Sequence, residues 1–460
     1  MGAKIVRAQD WVGRALDQVR SPLYRNAFFI MASSVVAGGI GAGFQYAVTR
    51  LYLVTADLGY AVTLFSAVSF LAVLGSFGLS VGVTRFLPET EDKRALVNTC
   101  LTIVGLTAAV FALVFIAGIN LWLPDLGFIL PNLAAPVNLD SVLLNVAYPV
   151  SILIAAIAIA LSPVGDSAGI AMRRADTVFW RTTTMSSLKL VFILLFASFA
   201  ATRGRLGIFL SMAVPFGIAS SFEISFLLPR ILKGFRPKPM LRSSAVRHML
   251  PFSLGNYTAN VIGSAGNLLI PALILSVIRG SAGAAEVASY YLATTAAGLL
   301  SIIPNATFTS FYAEASQKNA NRHSDERRAI LLAILLLAPS IAIAFIFAPL
   351  LLGIYYGASY SPGTIGPFRI LVVTVIPSLM NAILGTRVLI RKRSRPIIAS
   401  AAIGTIVTLA LGVILLQVWG LEGLAIGIVL GDFAPTPYLY VVARKPFKSD
   451  EEIPISPVPP

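Results

Sequence analysis

Residues 96–123 read LVNTCLTIVGLTAAVFALVFIAGINLWL, without a single Asp, Glu, Lys or Arg. Crossing the ~30 Å hydrocarbon core of a bilayer takes about 20 apolar residues in helical form. This stretch is longer than that. Charges resume at both ends, with Lys93 and Arg94 before it and Asp125 after it. A helix is the spanning form that fits, because barrel strands alternate in polarity and run to about ten residues each. Outward from this stretch the same pattern recurs. Twelve apolar spans are expected, at 27–49, 59–83, 96–123, 142–165, 180–201, 207–229, 251–278, 288–312, 329–353, 367–388, 397–418 and 422–443. Pro149 and Pro163 interrupt the fourth, and Asp432, Pro435 and Pro437 the last. Hydrophobic residues make up 57% of the chain and charged residues 12%, with a mean hydropathy of +0.84. A soluble protein of 460 residues could not hide that much apolar surface.

The basic residues give the orientation. All but six of the 35 Lys and Arg fall at the termini or in even-numbered connections. Arg50, Arg203, Arg205, Arg279 and Arg369 lie in odd connections, and Lys189 lies inside the fifth span. By the positive-inside rule the rich side faces the cytoplasm, with both termini there. The expected class is an all-α polytopic protein of the cytoplasmic membrane. Topology also accounts for the net charge of +15, with anionic inner-leaflet lipid as a contributing partner. Nucleic acid is not needed to explain the charge and is not expected as a partner.

Five regions follow. Residues 1–25 form a cytoplasmic amphipathic segment, with Ile5, Ala8, Val12, Leu16 and Val19 on one face; it reads as a positive-inside anchor or an interfacial helix. Residues 26–232 form a six-helix lobe, 233–250 a basic cytoplasmic linker, and 251–443 a second six-helix lobe. The tail, 444–460, with its acids and prolines, reads as disordered. The first span is too long for a cleavable signal. An offset of 225 places Phe86 and Glu89 on Phe311 and Glu314. Any repeat of the halves would be parallel, about an axis along the membrane normal.

Catalytic chemistry finds no foothold. Cys100 is the sole cysteine, and His248 and His323 are far apart in sequence. No nucleotide-binding, metalloprotease or nucleophile motif is present. The expectation is a protein that is not an enzyme and holds no metal or cofactor. Coupling to H⁺, Na⁺ or membrane potential is left open. With such short connections, the chain moves something across the bilayer or scaffolds other membrane proteins.

The spans carry the candidate site. Asn256, Asn260, Ser264 and Asn267 share one face of the seventh span. They either line a hydrated cavity suited to sugar hydroxyls or bond between packed helices. Gly38, Gly39, Gly41 and Gly43 in the first span suggest close packing, a bend or a hinge. Ionisable residues inside a membrane are functional candidates by default. Lys189 could meet a pyrophosphate or an acidic sugar, or an intramembrane partner. Asp432 could take a proton or Na⁺. Glu223 sits nearer the inner end of the sixth span, within reach of the interface, and Asp166 is placed in a loop. Arg25, Arg50 and Arg85 stand at helix ends, where topology anchors are common.

From Arg25 to Glu89 the chain opens its first span with "RN", turns at the outer face on "RLYLVTADLG" (50–59) and leaves the second span on "RFLPE" (85–89). MRRADTVFWR, at 172–181, leads into the fifth span. These features resemble the polysaccharide-transporter branch of the multidrug/oligosaccharidyl-lipid/polysaccharide exporter superfamily. The resemblance implies two six-helix lobes in a V around a central cavity, working by alternating access. It implies a flippase for polyprenyl-pyrophosphate-linked oligosaccharide, of the O-antigen or capsule type, with other polysaccharide-assembly proteins as candidate partners. Basic cavity residues would hold the pyrophosphate, with Arg50, Arg85 and Lys189 the candidates; Asn256, Asn260 and Asn267 would meet the sugar, and Asp432 or Glu223 a coupling ion. No Arg lies mid-way along the first or second span, a departure from the branch's simplest pattern. A cation-coupled drug antiporter of the same superfamily is the alternative, and would need an acidic cluster in the first lobe, where only Glu223 and Asp166 are on offer. A membrane scaffold of a polysaccharide-assembly complex is the second alternative.

Overall fold

A computed structural model describes residues 22–130, 139–199, 202, 204–242, 246–247, 249–304, 307, 322–390 and 395–444. The amphipathic segment before residue 22, the tail after Arg444, Phe311 and Glu314 lie outside the described residues, as do the side chains of Arg25 and Asn256. Among the described residues every regular element is helical. Ten helices are long and apolar enough to cross a membrane, and the bent pair Leu250–Leu268 and Ile270–Ile278, at 41°, makes an eleventh crossing. One of the ten, Arg395–Arg444, is two crossings. It turns at Trp419 and Gly420, the latter at φ 61°, and its arms lie back to back. Gly423 meets Leu415, Gly427 meets Gly412 and Gly431 meets Thr408, pairs that step evenly away from the turn. The glycines are what let two helices run this close.

Among the described residues the helices thus account for twelve crossings. In order, the crossings are Pro22–Leu51; Thr55–Gly75 with Leu79–Phe86; Lys93–Ala117; Leu139–Ala171; Asp176–Ser198; and Arg205–Phe222 continued by a π-turn over Glu223–Leu227. The second set comprises the bent pair; Gly280–Gly298; Arg322–Ile346 with Ala348–Tyr356; Ser361–Val372 with Val375–Ile390; and the two arms of the final hairpin, the last ending in Pro435–Arg444. Pro149 and Pro163 do not break the fourth crossing, which is one continuous helix. The second crossing breaks instead, at Phe77 (φ 44°) and Gly78 (φ 64°), where Gly78 comes against the Ser253 carbonyl. A Cβ at Gly78 would have no room, and the left-handed backbone suits glycine.

Lipid and protein share each helix. Along the third crossing Cys100, Val104, Ala108 and Ala112 are buried, while Leu106, Val110, Leu113 and Val114 are each more than half exposed. Both faces are apolar, so the exposed one is at ease in hydrocarbon.

The lobes meet along the second and eighth crossings. These begin at Thr55 and Gly280, an offset of 225, and the residues in contact obey the same offset: a Cβ on Gly59 would overlap the carbonyl of Ala284. Equivalent residues of two halves touch only on the axis relating them, so a parallel pseudo-two-fold axis passes here. Around it the largest buried cluster joins Phe44, Val48, Tyr52 and Leu58 to Val287, Leu292, Tyr356 and Tyr360. It lies toward the face opposite the Arg-rich turns, which we call the far face; the Arg-rich side is the basic face.

The first crossing behaves differently. Gly38, Gly39 and Gly41 have nothing within 4 Å of where a Cβ would stand, and Gly43 only Leu190 at 4.0 Å. Met31 and Val35 are 51% and 66% exposed. The glycine run is therefore not a tight packing surface; toward the basic face this helix stands clear of the second lobe. Gly59→Val is expected to cost on the order of 1–3 kcal/mol by overpacking the axis, seen as a lower thermal midpoint in detergent. Gly39→Ala should instead raise the midpoint or leave it unchanged, since helix-interior glycine is disfavoured by roughly 0.5–1 kcal/mol relative to alanine. A lower midpoint for Gly39→Ala would contradict the open space around it.

Candidate functional site

Between the lobes lies a cavity of about 750 Å³. The first, second and fifth crossings wall one side, and the eighth, ninth and tenth the other. Its lining is mainly apolar, with Gln45, Ser66, Ser186, Lys189, Tyr291, Thr295 and Tyr355 as the polar groups. Among the described residues Lys189 is its one charged lining residue, and no Asp or Glu lines it.

Lys189 lies 13 residues into the fifth crossing, about 20 Å along it at 1.5 Å per residue. Its Nζ stands 5.6 Å from the centre of the Phe65 ring and 4.9 Å from that of Phe216. Two ring faces attract a cation by about 0.5–2 kcal/mol each without cancelling its charge. No carboxylate among the described residues forms an ion pair with it. The ammonium is thus held in place while its charge stays free for an anion.

The far face of the cavity is latched. Arg50 donates from Nη2 to the Ile354 carbonyl at 2.8 Å and lies over the Tyr46 ring. Tyr360 donates to the Tyr52 carbonyl at 2.5 Å, Tyr356 to Gln45 Oε1 at 3.1 Å, and Tyr355 to the Ala42 carbonyl. Asp125 accepts from the backbone of Gly280 at 3.0 Å. Gly357, at φ 80°, ends the ninth crossing and turns the chain into Tyr360. On the basic face, Tyr257 donates to the Leu74 carbonyl at 2.8 Å, and the Arg85 guanidinium sits 4.8 Å from the Phe252 ring centre. Arg50 and Arg85 therefore lie in the seams between the lobes, not in the cavity lining.

A second cavity, about 580 Å³, lies within the second lobe. Asn267, Asn381, Thr386, Ser400, Thr405, Thr408 and Asp432 line it. Asn381 donates to the Asp432 backbone carbonyl at 2.8 Å and receives the Thr436 hydroxyl at 2.9 Å, which fixes the helix break after Phe433. Among the described residues Asn267 reaches only its own helix, at 3.4 Å to the Gly263 carbonyl, and Asn260 only Ser264 Oγ, at 3.5 Å. Long local bonds of this kind leave the amides available to water or ligand.

The expected site residues are thus distributed rather than joined. Lys189 belongs to the inter-lobe cavity, Asn267 and Asp432 to the second-lobe cavity, and Arg50 and Arg85 to the seams. Glu223 faces neither cavity and does not reach the interface, being 1% exposed. Arg181, whose position suggests a loop, is buried, and Asp166 binds it. Both lie almost equally far along the chain from the turn at Arg173, a spacing that places them side by side in a helical hairpin. The tyrosine latch had a weaker signal: three Tyr around Gly357, in the connection after the expected ninth span.

No protein-family model matches the sequence, and no curated protein matches it. Solved structures do. The lipid II flippase MurJ, in an inward closed conformation, superposes with a TM-score of 0.69 at 12% identity, over 91% of this chain and 88% of that one. An inward-facing multidrug resistance MATE transporter of the MOP superfamily gives 0.57 at 16% identity, over 91% and 94%. A MOP superfamily transporter from Pyrococcus furiosus, described as having a binding pocket of reversed polarity, gives 0.55 at 16%, over 90% and 94%. The fold is that of the MOP transporters. This chain is a multi-pass membrane protein with that fold, and its structural neighbours are transporters and flippases.

The latch has a measurable consequence. Each hydrogen bond contributes about 0.5–1.5 kcal/mol, so Arg50→Ala with Tyr360→Phe should shift the population toward far-face opening by roughly 5- to 100-fold. Thr295→Cys, in the cavity wall, would report it, since Cys100 is buried. Its labelling by an impermeant maleimide from the far face should speed up when the latch is removed; an unchanged rate would mean that these bonds do not hold the lobes.

Proposed function

We propose that the protein is a flippase that carries a polyprenyl-pyrophosphate-linked oligosaccharide across the cytoplasmic membrane by alternating access, in envelope polysaccharide synthesis. The observation that carries this reading is the charge of the inter-lobe cavity: among the described residues, Lys189 is its one free cation and no acid lines it. A low-dielectric site of that sign favours an anionic headgroup and disfavours an organic cation. At about 750 Å³ the cavity suits a pyrophosphate and its first sugars, with serine, glutamine and tyrosine groups for the hydroxyls. The first crossing stands clear of the second lobe at Gly38, Gly39 and Gly41, and this gap gives the polyprenyl tail a place to remain in the bilayer. The basic face is the cytoplasmic one by the distribution of Lys and Arg. Asp432, in its own polar pocket, is the coupling candidate for H⁺ or Na⁺.

The second reading, a cation-coupled antiporter for drugs or small solutes, takes its support from that same pocket, where a carboxylate and several side-chain oxygens converge. The two readings separate in proteoliposomes. With a labelled polyprenyl-pyrophosphate-oligosaccharide, the wild type should exchange the lipid between leaflets. Lys189→Ala should slow exchange about 10- to 100-fold, as expected for a charge-assisted bond of ~1.5–3 kcal/mol, and Lys189→Arg should recover part of it. Folded protein that exchanges no glycan class would sink the flippase reading; exchange indifferent to Lys189→Ala would remove the pyrophosphate contact. Asp432→Asn should abolish the response to an imposed H⁺ or Na⁺ gradient while leaving unstimulated exchange in place.

A further inference from the structure

Outside both cavities, the first lobe buries a group of three charged side chains. Arg181, on the fifth crossing, is 8% exposed. Its guanidinium grips Asp166 of the fourth crossing in a two-pronged pair, Nε to Oδ1 at 2.8 Å and Nη2 to Oδ2 at 2.6 Å. Glu223 opens the π-turn of the sixth crossing, 3.7 Å from Arg181 Nε through Oε2. It is 1% exposed, and neither of its carboxylate oxygens receives a hydrogen bond. Gly165 makes room for it, because a Cβ there would occupy the place of the carboxyl group.

The charges do not balance. One guanidinium faces two carboxylates, and its fork is already committed to Asp166 in the bidentate geometry that guanidinium and carboxylate favour. An ionised Glu223 would be a buried anion with no donor, which proteins avoid by pairing or by neutralising the group. The other charged side chains described on these three crossings and their turns do not supply a partner, Arg205 standing at the opposite end of the sixth over the Tyr60 and Phe128 rings. Arg173, Arg174 and Arg230 are exposed at the basic face, and Arg174 is held by Asp176 at 2.9 Å, whose bonds push its guanidinium up from the ordinary value. Lys189 lies eight residues beyond Arg181, about 12 Å along the helix, over its two rings. A metal cation would be repelled by the guanidinium at 3.7 Å and would find too few oxygens around Glu223. A proton suffers neither difficulty, since it binds covalently to one oxygen and leaves the group neutral.

We propose that Asp166, Arg181 and Glu223 form a proton-binding site separate from both cavities, with the proton on the Glu223 carboxyl. The O–H bond forms on a Glu223 oxygen with a proton taken from water at the basic face, and the carboxylate becomes a carboxylic acid. The Asp166 carboxylate, held on the same guanidinium, keeps its own charge. Release of the proton leaves Arg181 between two anions and draws it away from Asp166. Because these residues come from the fourth, fifth and sixth crossings, protonation sets how those three helices lock together. A π-turn at Glu223 is the kind of irregular helix in which such a shift costs little.

The test needs no substrate, so it stands or falls apart from the flippase reading. Infrared difference spectroscopy of the purified full-length protein at neutral pH should show a buried carboxylic-acid band that Glu223→Gln removes. Asp166→Asn should also remove it, because one guanidinium then matches one carboxylate and Glu223 ionises. The thermal midpoint of the wild type should fall as the pH is raised, since the folded state must release a proton it favours; that of Glu223→Gln, which mimics the protonated acid, should not. No band in the wild type, or a band that survives Glu223→Gln, overturns the proposal. Should Glu223→Gln fail to fold, the comparison of wild type with Asp166→Asn decides, and a band unchanged by Asp166→Asn overturns it.

Discussion

The two halves of this protein are held by the absence of a side chain at Gly59. Helices in lipid gain little from burying apolar surface against one another, so they associate by fitting closely. At Gly59 the second crossing lies directly against the Ala284 carbonyl of the eighth. These are equivalent positions in the two halves, so the contact marks the axis that relates them. The surrounding cluster and the tyrosine bonds close the far face about that axis. The gap left on the other side becomes the cavity, and the free inner half of the first crossing becomes its edge.

Within that frame, the ionisable groups are kept in separate environments. Lys189 rests on Phe65 and Phe216, which hold its charge without neutralising it. Asp432 sits among hydroxyls and amides in the second lobe. Glu223 is shut in with Arg181 and Asp166. Had Lys189 and Glu223 been neighbours, they would have paired, and the cavity would have lost its charge. The two-pronged Asp166–Arg181 pair keeps the acid and base of the first lobe apart from the cation of the cavity. Separation of this kind leaves the described lining of the cavity with charge of one sign.

Much of the site was visible as anomaly. Lys189 and Asp432 stand out as charges in apolar runs, and the Asn stripe as amides in one. What hydropathy could not tell was company: which of these groups share a pocket. Arg181 and Asp166 looked like loop residues because each lies near an expected span end, yet the fourth helix runs on to Ala171 and the fifth begins at Asp176, which sets both residues within the bundle. The tyrosines at 355, 356 and 360 fall just past the expected ninth span, where they read as ordinary connection residues, and each hydroxyl matters only once an acceptor on the other lobe is in reach.

The sequence by itself determined that the chain is helical, that it spans the membrane many times, and which loops gather the positive charge. A bilayer acts along one direction, and a helix must satisfy its own backbone within it, so length and polarity along the chain suffice for those conclusions. Only the tertiary structure decided which side of each helix meets lipid and which meets protein. In the third crossing both sides are equally apolar, and nothing in their composition separates Leu106 and Val110 from Val104 and Ala108. The choice rests on shape: where glycine and alanine allow two helices to close, the protein packs, and what cannot close becomes cavity or lipid surface.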